Sequence, residues 1–190
     1  MENIKILVLD VDGTLTDGKI YVDDKDNSFK AFNVKDGFAL VNWLKLGGEV
    51  AILTGKKSNI VERRAEELGI KHVIQGSKNK TQDLKKLLDR LNISFENTAY
   101  MGDDLNDLSV MKNVCLSGCP KDSVQEVLEI SNFISSKNGG DGAVREFLEY
   151  IMKNNGMWKK ILEKYSNEWY FCKEGGKLWL ILKKLIKWLI

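Results

Sequence analysis

The chain has 190 residues, of which 43% are hydrophobic, and this size suits one α/β domain with a buried core. Its 29 basic and 27 acidic residues leave a formal net charge of +2, so no nucleic acid or other polyanionic partner is expected. The first three residues lead directly into an apolar segment without the pattern of a signal peptide, and we predict a cytoplasmic protein.

Apolar runs alternate with helical patterns along most of the chain. Strands are predicted over 4–9, 50–53, 72–74, 98–101 and 113–117, and helices over 36–47, 57–69, 80–92 and 105–112. Residues 19–33 are typical of a β-hairpin whose turn spans 23–27. Strands that alternate with helices indicate right-handed crossovers, so the predicted fold is α/β with a mostly parallel sheet flanked by helices.

Two aspartates end the first predicted strand. Asp10 and Asp12 follow the apolar run 4–9 and precede Gly13. Like charges this close are costly unless a cation or a shared proton relieves them, and Mg2+ prefers oxygen ligands. The pair therefore suits phosphoryl transfer, with one acid as nucleophile and the other as general acid and base. The alternative is simple turn chemistry, since Asp-Gly is a common turn pair, but a turn would not explain the polar segments that follow.

Three later segments bring polar groups to the same edge of the predicted sheet. Thr54 and Gly55 end the strand at 50–53 and could hold phosphate oxygens. Lys80 opens a helix and could place an ammonium against the phosphate. The run Gly102–Asp107 follows the strand at 98–101, and its Asp103 could complete a metal shell. Ligands of open parallel sheets bind at the carboxyl ends of the strands, where these groups are expected.

In order and spacing these four segments resemble the four motifs of the haloacid dehalogenase-like (HAD) phosphatases. The resemblance implies a Rossmann-like HAD fold over residues 1–165. It implies Asp10 as the nucleophile, Asp12 as the general acid and base, and Mg2+ held by Asp10, the backbone carbonyl of Asp12, and Asp103. Thr54, Gly55 and Lys80 would grip the phosphoryl oxygens. Asp104 and Asp107 are left open between orienting roles and, for Asp107, an acid near a helix start.

HAD enzymes often carry a cap domain, and the connections here are too short for one. Residues 14–50 hold only the hairpin and one helix, and residues 55–80 hold one helix and one strand. A capless site admits water, so a small substrate would need another wall. We therefore predict a homo-oligomer in which a neighbouring subunit closes the site.

More of the chain resembles the 3-deoxy-D-manno-octulosonate 8-phosphate (KDO 8-phosphate) phosphatases, and the similar 9-phosphate phosphatases of nine-carbon sialic-type sugars. The matching stretches are 10–18, 32–37, 60–70, 75–76, 99–107 and 139–146. The resemblance implies a Mg2+-dependent homotetramer that hydrolyses a sugar-acid phosphate, with a trailing segment that reaches an adjacent subunit's site. The residues it implies in sugar or phosphate contacts are Asn33, Val34, Lys35, Asp36, Gly37, Lys56 and Arg64. The glycines at 139, 140 and 142 would make the trailing segment flexible, or would form an ordinary loop before a helix starting near Ala143.

Lys56 is a departure from this pattern. Octulosonate phosphatases usually have arginine there, and the nine-carbon enzymes tend to have an acid. A lysine keeps the positive charge of an arginine but cannot form its bidentate hydrogen bonds to a sugar carboxylate. The chemistry is therefore better defined than the substrate, and the nine-carbon 9-phosphates remain the alternative.

Residues 166–190 lie outside the resemblance. Residues 177–190 place four lysines on one side of a helix, and the stretch is too short and too charged for a comfortable membrane span. Packing against a sister subunit is preferred to membrane contact. A non-catalytic oligomerisation domain, related to those fused to cytidylyltransferases, is a competing function, which the intact acids and Lys80 disfavour.

Overall fold

The computed structural model describes residues 4–25 and 27–167. The strands are β1 (Ile6–Leu9), β2 (Tyr21–Val22), β3 (Ser28–Phe29), β4 (Glu49–Thr54), β5 (His72–Gln75), β6 (Thr98–Met101), β7 (Leu116–Cys119) and β8 (Phe133–Ile134). The helices are α1 (Val34–Lys45), α2 (Asn59–Leu68), α3 (Lys80–Leu91), α4 (Leu108–Met111), α5 (Gln125–Ile130), α6 (Ala143–Asn154) and α7 (Met157–Asn167). Short 3-10 turns span Phe95–Asn97 and Leu105–Asp107.

One six-stranded sheet forms the centre of the described chain. Its order is β5-β4-β1-β6-β7-β8, and every neighbouring pair runs parallel. All four residues of β1 are buried, as expected for a central strand covered on both faces. Leu9 lies opposite Ile52 of β4 and Met101 of β6, so the residues that follow these strands meet at one edge.

Helices cover both faces of the sheet. One apolar core joins alternate strand residues to α1, α2, α6 and α7, and includes Trp43 and Phe147. The other joins the opposite strand faces to α3, α4 and α5, and includes Leu84 and Tyr100. The predicted α/β fold with a mostly parallel sheet is confirmed.

The predicted hairpin is present as β2 and β3, with Tyr21 opposite Phe29. Between residues 14 and 50, Asp26 excepted, the chain forms only this hairpin and α1, and between 55 and 80 only α2 and β5. Neither connection contains a cap domain. The predicted helix over 105–112 is a 3-10 turn followed by the short α4, while β8, α5 and α7 were not predicted.

The trailing segment stays with its own chain as far as residue 167. After Gly142 the chain forms α6 and α7, and α7 contacts α6 and the middle of the chain's own α1. Tyr165 packs on Phe38 with ring centroids 5.1 Å apart, and its hydroxyl donates to Asn42 Oδ1 at 3.2 Å. Most of the predicted tail, from residue 168 onward, lies outside the described residues. Within the described part of the chain no helix is long and apolar enough to cross a membrane.

Candidate active site

The predicted polar groups gather at the carboxyl edge of the sheet. Asp10 directly follows β1, and its backbone N–H donates to the carbonyl of Met101 at 3.0 Å, which ties it to the end of β6. Thr54 is the last residue of β4, and Lys80 is the first residue of α3. Parallel strands whose ends are in register therefore bring separate segments of the chain to one place.

Lys80 is the buried cation of this site. Its ammonium lies 2.9 Å from Asp10 Oδ1 and 2.6 Å from Asp107 Oδ1. Burial acts to lower the pKa of Lys80, but the two carboxylates outweigh it and raise the pKa above its ordinary value. The side chain is therefore a protonated ammonium that is shared between two acids.

Asp107 organises the loop beneath the site. Its carboxylate is fully buried and accepts four hydrogen bonds. Oδ1 receives Lys80 Nζ at 2.6 Å and the Tyr100 hydroxyl at 2.5 Å, while Oδ2 receives the backbone N–H groups of Asp103 at 3.1 Å and Asp104 at 3.3 Å. A carboxylate whose two oxygens are both occupied in this way is a poor metal ligand. Of the roles left open by the sequence, the structure favours an orienting one for Asp107.

The remaining acids suit a divalent cation. Carboxylate oxygens of Asp10, Asp103 and Asp107 lie within 4.8 Å of one another. Burial and the charge of Asp107 raise the pKa of Asp10 to about 6, and burial with the charges of Asp10 and Asp107 raises the pKa of Asp103 to about 7. Asp10 and Asp107 are buried and Asp103 is half-buried, and of these three acids the Lys80 ammonium contacts Asp10 and Asp107, so the cluster keeps negative charge that a hard cation would relieve. Asp10 and Asp103 are the members with capacity to bind it.

Close backbone packing shapes the loop that carries Asp12. Thr14 Oγ1 donates to Asp103 Oδ1 at 3.1 Å, and a Cβ at Gly13 (φ +91°) would lie 2.0 Å from Asp103 Oδ2, so only glycine fits there. A Cβ at Gly139 would lie 1.8 Å from the carbonyl oxygen of Gly13, and the Gly140 N–H donates to the carbonyl of Thr14 at 3.2 Å. In this structure Gly139 and Gly140 permit close contact with the loop that carries Asp12, and the helix predicted near Ala143 begins at that residue.

Thr54, Gly55 and Lys56 form a turn at the end of β4. Thr54 is buried, and its Oγ1 accepts a hydrogen bond from the Lys56 N–H at 3.4 Å, whereas Gly55 and Lys56 are exposed. Lys56 Nζ lies 3.7 Å from Asp12 Oδ2, so this turn reaches the acids across the edge of the sheet.

Some residues of the predicted sugar-contact segment 33–37 are buried and others are exposed. Asp36 is 1% exposed, Gly37 is also buried, and Asp36 Oδ1 accepts the Arg145 N–H at 2.7 Å, at the start of α6. Asp36 therefore joins α1 to α6, and neither it nor Gly37 faces solvent in a single chain. Asn33 caps α1 through its side chain. Exposed side chains in the segment are those of Val34 and Lys35.

Arg64 lies on α2 beside this segment. Its Nη1 pairs with Glu67 Oε2 at 2.8 Å, and its guanidinium lies 5.8 Å from the ring centroid of Phe32. A Cβ at Gly37 would lie 2.6 Å from Arg64 Nη2, so the two residues touch. The structure thus joins Arg64 to segment 33–37 but not to the acid cluster, and its contact with substrate stays a prediction.

Sequence reasoning missed Lys30 and Tyr100. Lys30 follows β3, and its ammonium contacts Asp12 Oδ1. Tyr100 is the fully buried donor to Asp107. Lys30 lies outside the matching stretches, on a hairpin outside the sheet. Tyr100 lies inside the stretch 99–107, but in the middle of an apolar strand, where the sequence does not indicate a polar role.

Comparison with known proteins agrees with this geometry. Residues 57–148 match a family model described as haloacid dehalogenase-like hydrolase. The 3-deoxy-D-manno-octulosonate 8-phosphate phosphatase KdsC of Escherichia coli K12 is 43% identical over 155 residues, which cover 82% of each chain. The chain belongs to the KDO 8-phosphate phosphatase family of HAD-like hydrolases.

Solved structures of this family share the fold. The phosphatase from Moraxella catarrhalis, in complex with magnesium, phosphate and KDO, superposes with a TM-score of 0.84 at 37% identity, covering 86% of this chain and 94% of that one. The cobalt-bound enzyme from Haemophilus influenzae gives a TM-score of 0.78 at 35% identity, covering 82% and 91%. The family resemblance predicted from the sequence is confirmed.

Proposed function

We propose that this protein is a Mg2+-dependent phosphatase that hydrolyses KDO 8-phosphate to KDO and inorganic phosphate. The observation that carries the proposal is the cluster of Asp10, Asp103 and Lys80 at the sheet edge, in a chain 43% identical to a KDO 8-phosphate phosphatase. A domain kept only for assembly would have no need of two buried acids and a half-buried third beside a buried ammonium, because such a cluster is costly without a function.

Asp10 and Asp103, with the backbone carbonyl of Asp12, would hold the Mg2+. When bound, the ion neutralises the acids and offsets the charge of the transferring phosphoryl group. The chain's own contribution is to position these ligands. Thr14 fixes Asp103 through its hydroxyl, and Lys80 fixes Asp10.

Asp10 acts as the nucleophile. One of its carboxylate oxygens attacks phosphorus, the bond from phosphorus to the sugar oxygen breaks, and the electron pair of that bond leaves with the sugar oxygen. Asp12 donates a proton to that oxygen. It then accepts a proton from the water that attacks the aspartyl-phosphate, so that phosphate leaves and the Asp10 carboxylate is restored.

Lys80, Thr54 and Gly55 bind the non-bridging phosphoryl oxygens. Lys80 is held in place before substrate arrives, because its ammonium is anchored by Asp107. An ammonium that is already positioned needs no reorganisation during the reaction. Thr54 and Gly55 supply a hydroxyl and a backbone N–H at the end of β4.

Phosphate release tests the proposal. The wild type should release phosphate from KDO 8-phosphate with added Mg2+ and lose this activity in EDTA. Asp10→Asn should abolish turnover, while Asp89→Asn, an exposed acid on α3, should leave it unchanged. Unchanged turnover in Asp10→Asn would remove Asp10 from its role.

A panel of sugar phosphates decides the substrate. KDO 8-phosphate should have the higher kcat/KM when compared with nonulosonate 9-phosphates. Lys56 supplies a charge but no guanidinium fork, so sugar-acid binding is expected to be weaker than with arginine. A preference for the 9-phosphates would identify the nine-carbon alternative instead.

We further propose a homotetramer in which a neighbouring subunit closes the site. Large apolar side chains are exposed on the hairpin, among them Ile20 (75%), Val22 (67%) and Phe29 (54%). An isolated two-stranded hairpin is marginally stable, and an apolar partner surface would stabilise it. Light scattering should give about four times the 21.6 kDa chain mass, and Val22→Asp should lower it. A monodisperse wild-type monomer would contradict the proposal.

The division at residue 165 and the cytoplasmic location stay predictions. A chain truncated after residue 167 that keeps its fold and phosphatase activity would support the division. Loss of folding in that truncated chain would place the tail within the catalytic unit.

A further inference from the structure

Lys30 reaches the site from outside the parallel sheet. It directly follows β3, and its ammonium contacts Asp12 Oδ1. The Lys30 side chain is only 17% exposed, although the preceding Phe29 is 54% exposed. Successive residues of an extended chain point in opposite directions, so the hairpin turns an apolar side chain outward and an ammonium inward.

Asp12 depends on Lys30 for its close cationic contact. Lys80 pairs with other acids, since its Nζ lies 2.9 Å from Asp10 Oδ1 and 2.6 Å from Asp107 Oδ1. Lys56 Nζ is 3.7 Å from Asp12 Oδ2, and its side chain is 66% exposed. A loose and exposed pair of this kind fixes a side chain weakly, because solvent screens it and side-chain entropy opposes it.

The Lys30 pair differs from a surface pair in its burial. The two side chains are 17% and 24% exposed. Asp12 itself lies in a turn after β1 and has a short side chain whose direction sets where its carboxylate stands. An ammonium fixed on Oδ1 restricts that direction, and general acid catalysis depends on such placement.

We propose that Lys30 is a positioning residue that holds the Asp12 carboxylate in place for proton transfer to the leaving oxygen, so that the hairpin is part of the active site. This inference rests on the proposed role of Asp12. Positioning contributes most when the leaving group needs a proton, and little when it departs as a stable anion.

The test compares two leaving groups with the full-length protein and Mg2+. Lys30→Met keeps the aliphatic stem and removes the charge. For KDO 8-phosphate its kcat should fall by about 10- to 100-fold with KM changed by less than about threefold. With p-nitrophenyl phosphate as the substrate, the kcat/KM of Lys30→Met should fall by less than about threefold. This constant reports only the first chemical step, and the leaving p-nitrophenolate needs no proton. Lys30→Arg should recover part of the loss.

A double-mutant cycle isolates the pair. In an Asp12→Ala background, Lys30→Met should cause no further loss with KDO 8-phosphate. Lys25→Met, on the turn of the same hairpin, serves as the control, since its side chain is exposed and the cations paired with Asp12 are Lys30 and Lys56, and it should match the wild type. Thermal unfolding of each variant checks that the fold is retained.

The other outcomes overturn the inference. Equal losses with both substrates would mean that Lys30 acts on the phosphoryl group or on the fold, and no loss would mean that the pair is incidental. If the wild type prefers a nine-carbon sugar phosphate, KDO 8-phosphate is not the substrate, and the Lys30 variants are then compared with the wild type on that nine-carbon sugar phosphate. A wild type without phosphatase activity would overturn both proposals.

Discussion

Asp107→Asn is the sharpest probe of how the site is held together. The substitution keeps the shape of the side chain and replaces one oxygen with an amide NH2. Asp107 is fully buried and accepts four donors, two on each oxygen. The amide oxygen takes the place of Oδ1 and keeps the bonds from Lys80 and Tyr100, so the NH2 group meets the backbone N–H groups of Asp103 and Asp104 and both of their bonds are lost.

The expected cost follows from these contacts. Each hydrogen bond to a charged group is worth about 1.5–3 kcal/mol, so two lost bonds cost roughly 3–6 kcal/mol. Removing the charge also relieves repulsion with Asp10 and Asp103, whose pKa values Asp107 helps to raise. We therefore expect the free energy of unfolding to fall by about 2–4 kcal/mol. Tyr100→Phe removes a single donor and should cost about 1.5–3 kcal/mol.

Urea denaturation in EDTA, followed by circular dichroism, measures both effects without bound metal. The double variant should lose less than the sum of the single variants, because Tyr100 donates to a charged carboxylate in the wild type and to a neutral amide in Asp107→Asn. Asp89→Asn, whose carboxylate is exposed on α3, is the control and should stay within about 0.5 kcal/mol of the wild type. An Asp107→Asn protein as stable as the wild type, or strictly additive losses, would refute the four-bond arrangement.

Three further predictions concern other contacts. Burial raises the pKa of Asp36 to about 6, so the folded chain keeps a proton there that the unfolded chain releases near pH 4. The contribution of Asp36 to the unfolding free energy should therefore fall by up to about 3 kcal/mol as pH rises from about 4 to 6, beside contributions of the same sign from Asp10 and Asp103. Asp36→Asn should make the slope shallower by that amount in urea titrations, and parallel curves for the two proteins would count against it. Gly139→Ala would place a Cβ 1.8 Å from the Gly13 carbonyl oxygen, so the unfolding free energy should drop by about 1–3 kcal/mol in the same urea assay. An unchanged urea midpoint would contradict the close approach of these two loops. Thr14→Val removes the hydroxyl that donates to Asp103, so the Mg2+ concentration for half-maximal phosphate release should rise about tenfold. An unaltered Mg2+ titration would show that this hydroxyl does not orient the Asp103 carboxylate.

Much of the site could be predicted because it depends on strand ends. Asp10, Thr54 and Asp103 each follow or end an apolar run, and parallel strands in register must bring such positions together. The absence of a cap in the two connections followed from their lengths in the same way. The sequence did not show which residues of a matching segment are buried and which are exposed. Asp36 and Lys35 are adjacent, yet Asp36 is buried against α6 and Lys35 is exposed.

The sequence by itself determined the order of the elements from β1 to β7 and the residue types at the carboxyl edge, because hydrophobic periodicity and local spacing are properties of neighbouring residues. Only the tertiary structure decided which acid is free for a metal and which is saturated. Asp107 loses its capacity through Tyr100 and Lys80, and Lys30 reaches Asp12 across 18 positions from a separate hairpin. Which side chains of these separate segments pair with one another depends on their positions in space, so the contacts form only when the sheet and its loops have packed together.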